Sequence, residues 1–402
     1  MGSEMHEVYD ARREPDGAGG EAWEEREGPR LRARLASARR VIVKVGTSTL
    51  TDPGGGFNLP RMERLAAQLC KAADEGREVA LVTSGAIGAG MGRLGLKRRP
   101  KTIPEKQGVA AIGQGLLMHT YHTLFERHGR VVAQLLLTRD DLTNRKRHLN
   151  SRNTFFSLWR MGAIPIVNEN DTVAVDEIQF GNNDTLAALV AALVAADLLI
   201  VLSDVEGVYR RDPRRDPGAP MLSIVRKIDK ELEEAAGGPG SAYGTGGMGT
   251  KLQAAKIATS AGIATVIASG SREEVVTSIL RGEEVGTLFV PRQERMGGRK
   301  RWIAFYQSPR GRIQVDDGAV RALVDHGKSL LPSGVRAVEG EFDEGDVVCV
   351  VDMRGEEVAR GVVNYSHRDV GRIMGCSSKE IEEKLGYKYY DEVIHRDNLV
   401  LS

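Results

Sequence analysis

Short apolar runs alternate with longer helical patterns between about residue 40 and residue 290. The runs are continuous in Val, Ile and Leu, which is typical of strands that are covered on both faces. They lie at residues 41–45, 79–84, 131–137, 164–170, 198–204 and 264–269. The pattern predicts a layered α/β domain with a largely parallel sheet. Ligands of such domains bind at the carboxyl ends of the strands.

The pattern changes after a basic, glycine-containing stretch at residues 291–302, which we interpret as a linker. Residues 303–402 contain short strands separated by Gly, Pro and Asp, as expected for a small β-barrel. At the other end, residues 1–38 are rich in Glu, Arg and Gly and poor in apolar side chains, so we expect them to be disordered. Residues 39–290 then form the α/β domain.

Composition narrows the class of protein. The formal net charge is +1 with 28% charged residues, so no overall field favours nucleic acid or a membrane. Cys70, Cys349 and Cys376 are far apart and lack metal-ligand spacing, which indicates a reduced, cytoplasmic protein. No apolar run reaches the roughly 18 residues that a membrane span needs.

A glycine-rich segment, TGGMGTK at residues 245–251, is a candidate phosphate site. Glycines let backbone N–H groups approach an anion, and Lys251 adds a positive charge where a helix is expected to begin. The segment is not a P-loop, because Lys251 is followed by Leu252 rather than Ser or Thr. It is not a dinucleotide fingerprint either, because no strand precedes it. A flexible surface loop remains an alternative.

Polar residues follow several of the predicted strands. Lys44 lies inside the first strand and needs an anionic partner or a path to solvent. Ser84 ends the second strand, and Asp171 follows the fourth. Asn183 and Asp184 begin a predicted helix. A snorkelling lysine and ordinary N-caps at Ser84 and Asp184 are the alternatives. Their shared position at strand ends favours one site.

The segments VKVGTSTL, TSGAIGAG, NENDTV, FGNNDTLAALVA, LSDVEGVY and TGGMGTK, in this order, resemble the amino acid kinase family. Within the family, the match is to members that phosphorylate the side-chain carboxylate of L-glutamate at the start of proline synthesis. The C-terminal barrel resembles the PUA domain of bacterial members. The resemblance covers residues 39–400. A sister kinase for acetylglutamate, aspartate, carbamate or uridylate remains an alternative.

The resemblance implies roles for individual residues. Lys44, Lys251 and Asp184 would be catalytic, with the lysines neutralising charge on the transferring phosphoryl group and Asp184 orienting them. The residues implied for glutamate binding are Ser84, Asp171 and Asn183. The residues implied for ATP binding are Lys44, Ser203, Asp204, Thr245, Gly246, Gly247, Met248, Gly249, Thr250 and Lys251. No dedicated protein metal site is implied, because Mg²⁺ would come with ATP and bridge its phosphates.

The resemblance also implies partners. Proline would act as a feedback inhibitor, the chain would form a dimer or tetramer, and the labile product could pass directly to glutamyl phosphate reductase. Because PUA modules often bind RNA, an RNA-binding role is a further alternative. Acidic side chains outnumber basic ones from Ile303 onward, which argues against binding to a phosphate backbone.

Overall fold

The computed structural model describes residues 20–51, 56–173, 182–211, 213, 216, 218–237, 247–291, 298–306 and 309–402. The chain divides into two compact units, Met1–Arg295 and Met296–Ser402. Thr245, Gly246 and residues 1–19, for which we made predictions above, lie outside the described residues. No helix in the described ranges has the length and apolar character that crossing a bilayer requires.

The described part of the first unit contains an eight-stranded sheet with the order β3-β4-β2-β1-β5-β7-β8-β6. Its strands are β1 Arg40–Val45, β2 Glu78–Val82, β3 Val132–Leu137, β4 Ile164–Glu169, β5 Leu198–Ser203, β6 Ile224–Val225, β7 Ala264–Ser269 and β8 Thr287–Phe289. All neighbouring strands are parallel except β7 and β8. The predicted layered fold with a largely parallel sheet is therefore confirmed, and β1 lies at its centre.

Helices cover both faces of this sheet. They are α1 Gly20–Leu35, α2 Thr47–Leu50, α3 Leu59–Asp74, α4 Ala86–Leu94, α5 Ile103–Glu126, α6 Arg139–Thr143, α7 Arg145–Arg160, α8 Asn183–Val194, α9 Lys230–Ala235, α10 Met248–Ser260 and α11 Val275–Leu280. On one face, α3, α5 and α11 bury Met62, Leu117 and Ile279 against Val43 and Leu81. On the other, α8 lies on β1 and β5 while α10 packs beside α8 and β7.

Helices α4 and α5 approach each other unusually closely, because glycines line their contact. A Cβ at Gly113 would lie 1.7 Å from the Ala86 carbonyl oxygen, and one at Gly90 would lie 2.0 Å from that of Val109. Neither position has room for a side chain, so the two helices are held at a fixed spacing. This contact anchors α5 beside the carboxyl ends of β2 and β4.

Helix α1 contradicts the expectation that all of residues 1–38 are disordered. The Arg32 side chain is buried and donates hydrogen bonds to the carbonyl oxygens of Val285 (3.1 Å), Ser223 (2.9 Å) and Gly286 (2.9 Å). Leu35 joins the same core as the sheet. Composition alone predicted disorder because it could not reveal that carbonyl oxygens near β6 and β8 would accept hydrogen bonds from a buried guanidinium.

In the second unit, the described residues form a five-stranded sheet with the order β10-β9-β11-β12-β13. Its strands are β9 Gly311–Val315, β10 Val335–Gly340, β11 Val347–Val351, β12 Glu357–Val362 and β13 Leu399–Leu401. Its helices are α12 Gly298–Tyr306, α13 Asp317–Val324, α14 His367–Ile373 and α15 Ile381–Leu385. The predicted strand-rich C-terminal unit is confirmed. Helix α12 starts inside the stretch that we expected to be a linker, because Ile303 packs against Val347 and Val400.

Candidate active site

The candidate site lies where the central strands end and where α8 and α10 begin. Lys44 is the next-to-last residue of β1 and aligns with Val82 of β2 and Val201 of β5. Its side chain is only 5% exposed, so a snorkelling position at the surface is excluded. The lysine needs a partner inside the protein.

That partner is Asp184, which both predicted lysines approach from different sides. Lys44 Nζ lies 2.6 Å from Asp184 Oδ1, and Lys251 Nζ lies 3.7 Å from Asp184 Oδ2. Thr250 donates its hydroxyl hydrogen to Asp184 Oδ2 at 2.6 Å. Asp184 is not the N-cap of α8, because Asn182 accepts the hydrogen bond from the Thr185 amide at 2.8 Å. The carboxylate is therefore available to hold the two ammonium groups.

The charges of this triad, Lys44, Asp184 and Lys251, do not cancel. Two ammonium groups face one carboxylate, and all three side chains are buried. Burial lowers the pKa of Lys44 below its usual value, with Asp184 opposing the shift. Burial alone would raise the pKa of Asp184, but Lys44 and Lys251 together lower it. The triad is an electropositive site that an anionic ligand would complete.

Two glycines leave room for such a ligand. Gly46 directly follows β1, and a Cβ there would lie 3.4 Å from Lys44 Nζ. Gly247 precedes α10 in an extended conformation and provides no side-chain cap. The N-cap therefore offers no side-chain acceptor to the first amides of α10, and helix amides of this kind bind phosphate groups. Met248 and Gly249 lie in the first turn of this helix. Lys251 is buried in the same turn, so residues 247–251, the described part of the TGGMGTK segment, combine helix amides with a lysine.

Asn183 joins the ends of three elements. Its Nδ2 lies 2.7 Å from the Thr83 carbonyl oxygen, 2.9 Å from Ser84 Oγ and 2.9 Å from Asn168 Oδ1. Ser84 is not a helix cap, since Gly85 occupies the N-cap of α4 with φ of +106°, a conformation that favours glycine. Ser84 and Asn183 thus lie together, as we predicted from their positions at strand ends.

Asp171 also follows the carboxyl end of a strand of the sheet, but it does not share the hydrogen bonds that join Ser84 to Asn183. It follows β4, and burial raises its pKa to about 6. No ion pair among the described residues involves Asp171, and no hydrogen bond there joins it to Ser84 or Asn183. A half-buried carboxylate without a cation is suited to receive one from a ligand.

Ser203 and Asp204 end β5 on the other side of β1. Ser203 donates its hydroxyl hydrogen to Asp204 Oδ1 at 3.1 Å. Asp204 is close enough to Lys44 to oppose the lowering of its pKa. The two residues therefore lie beside the triad, although the described contacts do not include a direct bond to either lysine.

Sequence reasoning missed several residues of this site. Thr83, Asn168, Gln114 and Tyr121 form hydrogen bonds around Asn183, and none was singled out by itself. Asn168 is part of the quoted NENDTV segment, so its place at a strand end was the available signal. Gln114 and Tyr121 lie in the middle of α5, where the sequence offers no such signal. Within the described residues, no group of three His, Cys, Asp or Glu side chains could hold a metal ion.

Comparison with known proteins agrees with this geometry. The model of the amino acid kinase family matches residues 39–269, and that of the PUA domain matches residues 311–385. The chain belongs to the amino acid kinase family.

Relatives that align with almost the whole chain carry a more particular name. The glutamate 5-kinase of Moorella thermoacetica is 55% identical over 92% of this chain and 98% of its own length. Those of Geobacter sulfurreducens and Carboxydothermus hydrogenoformans are each 51% identical, over 91% and 92% of this chain and 98% and 100% of their own. A solved UMP kinase from Bacillus anthracis, at 17% identity, has a TM-score of 0.44, which is too low to add to the assignment.

Proposed function

We propose that this chain is a glutamate 5-kinase. It transfers the γ-phosphoryl group of ATP to the side-chain carboxylate of L-glutamate, giving L-glutamyl 5-phosphate and ADP, the first step of proline biosynthesis. One observation carries the proposal. Two buried lysines approach the two oxygens of one buried aspartate where the central strands end. The name shared by relatives that span the chain supports the same activity.

The attacking group needs no general base. A glutamate side chain has a pKa of about 4.3, so it is already an anion at neutral pH. One of its oxygens forms a bond to the γ-phosphorus while the bond from that phosphorus to the bridging oxygen breaks, and ADP leaves with that electron pair. The chain must instead overcome the repulsion between a carboxylate and a phosphate. Positioned positive charges do this in phosphoryl transfer.

Lys44 and Lys251 supply these charges in our proposal. Each ammonium group is already desolvated, so its interaction with a developing negative charge is stronger than it would be in water. Asp184 keeps the two lysines in place, and Thr250 holds the orientation of that carboxylate. Ser203, Asp204 and the segment at residues 245–251 would line the nucleotide site.

Ser84, Asn183 and Asp171 would bind glutamate. Asp171 is suited to the α-ammonium group, because a cation would compensate the burial that raises its pKa to about 6. The chemistry of Mg²⁺ fits a metal delivered with the nucleotide, since it is commonly held by phosphates, water and one or two carboxylates. Mg²⁺ would screen the charge of the phosphates, and the lysines would act on the transferring group.

Regulation and assembly follow as further proposals. Proline carries an ammonium and a carboxylate group as glutamate does, so it would inhibit by binding at or over the glutamate site. We also propose a homodimer or homotetramer, and transfer of the hydrolysable acyl phosphate to glutamyl phosphate reductase. For the second unit, the excess of acidic side chains still argues against tight RNA binding.

The proposal is tested with the purified full chain, ATP and Mg²⁺. We expect ADP release that depends on L-glutamate, and hydroxylamine should trap the acyl phosphate as a hydroxamate. Aspartate, N-acetylglutamate and UMP serve as competing acceptors. ADP release that rises with aspartate or UMP but not with glutamate would show that the chain is a different kinase of the family.

A further inference from the structure

Two of the three residues that accept hydrogen bonds from Asn183, Thr83 and Asn168, have side chains that are hydrogen-bonded to helix α5. Asn183 Nδ2 donates to the Thr83 carbonyl oxygen at 2.7 Å and to Asn168 Oδ1 at 2.9 Å. Asn168 Nδ2 donates in turn to Gln114 Oε1 at 2.9 Å, and Thr83 Oγ1 hydrogen-bonds the Tyr121 hydroxyl at 2.7 Å. Gln114 and Tyr121 lie about two turns apart on one face of α5.

The side-chain amides of Asn183, Asn168 and Gln114 form a hydrogen-bonded series, which we call the amide chain, and the donor and acceptor of each bond are set by the contact at the Asn183 end. A backbone carbonyl oxygen only accepts hydrogen bonds, so the Asn183 group that faces Thr83 must be its NH₂ group. Asn168 must then present its oxygen to Asn183 and its NH₂ group to Gln114. Gln114 must present its oxygen. Each side-chain amide has a single orientation that satisfies the chain.

Gln114 is poorly suited to a purely stabilising role. Its side chain is 9% exposed, and its buried Nε2 has no hydrogen-bond partner among the described residues. Leaving a buried NH₂ group unpaired costs free energy, so an apolar side chain of similar length would fill this space at least as well. The feature that an apolar side chain would not reproduce is the acceptor oxygen that faces Asn168.

We propose that Gln114 is a positioning residue for the amino-acid substrate, acting through Asn168 on Asn183. This inference rests on the proposed glutamate kinase activity, in which Asn183 binds the substrate. Without the Gln114 oxygen, the buried NH₂ group of Asn168 loses its acceptor, and the Asn168 side chain is no longer held where its oxygen receives Asn183 Nδ2. Asn183 would then lose a fixed acceptor and leave the orientation that receives glutamate. Tyr121 holds Thr83, whose carbonyl oxygen also accepts a hydrogen bond from Asn183, through a hydrogen bond between the two hydroxyl groups.

The test compares Gln114→Met with the unmodified chain. Methionine has a similar length but lacks the strong acceptor. We expect the KM for glutamate to rise about tenfold, as for the loss of one buried hydrogen bond, while the KM for ATP changes by less than about twofold. The melting temperature should change by no more than about 2 °C, because removal of the unpaired Gln114 NH₂ group offsets the loss of the acceptor for the Asn168 NH₂ group.

Two further variants separate positioning from general loosening of the helix. Gln114→Asn keeps the amide but withdraws it by one methylene, so it should raise the same KM even if the methionine variant does not fold. Leu124→Val removes a buried methylene from the same helix without touching the amide chain. It should lower the melting temperature and leave both KM values unchanged.

The outcomes are distinct. An unchanged KM for glutamate in both Gln114 variants would overturn the inference. So would a parallel rise of both KM values accompanied by a lower melting temperature. An unmodified chain that does not turn over glutamate would overturn the proposed function, and this inference with it. Normal turnover with the predicted rise in one KM supports both.

Discussion

Thr250 donates its hydroxyl hydrogen to Asp184 Oδ2 at 2.6 Å, on the same oxygen that Lys251 approaches at 3.7 Å. The hydroxyl thereby fixes the plane of a carboxylate whose other oxygen contacts Lys44 at 2.6 Å. Loss of the Thr250 hydroxyl should therefore let the Asp184 carboxylate rotate and so alter the positions of both Lys44 and Lys251.

Thr250→Val removes this donor and keeps the shape of the side chain. We expect kcat to fall about fivefold to tenfold, since a hydrogen bond to a charged group is lost while the charges remain. Thr250→Ser retains the hydroxyl and should stay within about twofold of the unmodified chain. Steady-state ADP release measures both. Equal activity in the valine and serine variants would contradict the role of the hydroxyl.

Replacing either lysine of the triad should have a much larger effect. Lys44→Ala and Lys251→Ala each remove a buried charge from the transferring group, and we expect kcat to fall by about a hundredfold or more. Lys256→Ala is the control. This lysine lies on α10 as Lys251 does, but it pairs with Glu233 at a half-exposed position and should have little effect. A loss of less than about tenfold, or roughly 1.4 kcal/mol of barrier, would argue against the proposed role of the lysine concerned.

Glutamate affinity should depend on pH through Asp171. Burial raises the pKa of this group to about 6 in the unliganded chain, and a bound ammonium group would lower it again. Binding therefore favours the ionised carboxylate. The KM for glutamate should be constant above pH 6 and rise by about tenfold for each pH unit below it.

The KM for glutamate, measured on either side of pH 6, checks this expectation. Asp171→Asn should raise that KM at neutral pH and abolish the dependence, while the KM for ATP is unaffected. If the asparagine variant kept the same pH profile as the unmodified chain, another group would be responsible.

Stability should depend on Arg32, which lies in the stretch expected to be disordered. Arg32→Met would remove the hydrogen bonds that the guanidinium donates to the carbonyl oxygens of Val285, Ser223 and Gly286, and Ser223 would keep only the bond from the Leu288 amide. We expect a loss of about 2–4 kcal/mol in the free energy of unfolding, measured by denaturant titration. Arg34→Met is the control on the same helix, because Arg34 is exposed and its loss should cost no more than about 0.5 kcal/mol. Equal effects of the two substitutions would contradict the stabilising role of the Arg32 hydrogen bonds.

The sequence predicted the central sheet well because its strands carry a strong local signal. The runs that became β1 and β5 are continuous apolar segments of a length typical of strands, and their ends drew attention to Lys44 and Ser203. Strands β6 and β8 have two and three residues, which is too short for any pattern to be read from them. The meeting of Lys251 with Asp184 was expected from the family resemblance rather than from periodicity.

The part of the site that could not be predicted is the part that depends on packing across the sheet. Gln114 lies in helix α5, and only the tertiary fold brings it within 2.9 Å of Asn168 in β4. Arg32 likewise finds its partners only when residues far along the chain are in place. In both cases, the partner of a polar side chain is set by tertiary structure.

Helix α1 has a consequence for the order in which the protein is made. During synthesis, Arg32 emerges from the ribosome long before Ser223, Val285 and Gly286 have been made. The carbonyl oxygens of these three residues accept the hydrogen bonds of the Arg32 guanidinium. During that interval the helix has none of these acceptors, so it cannot dock in its final position. Helix α1 is thus synthesised early but is among the last elements of the domain to reach its final position. It can dock only after the chain around β6 and β8 has been made and has joined the edge of the sheet.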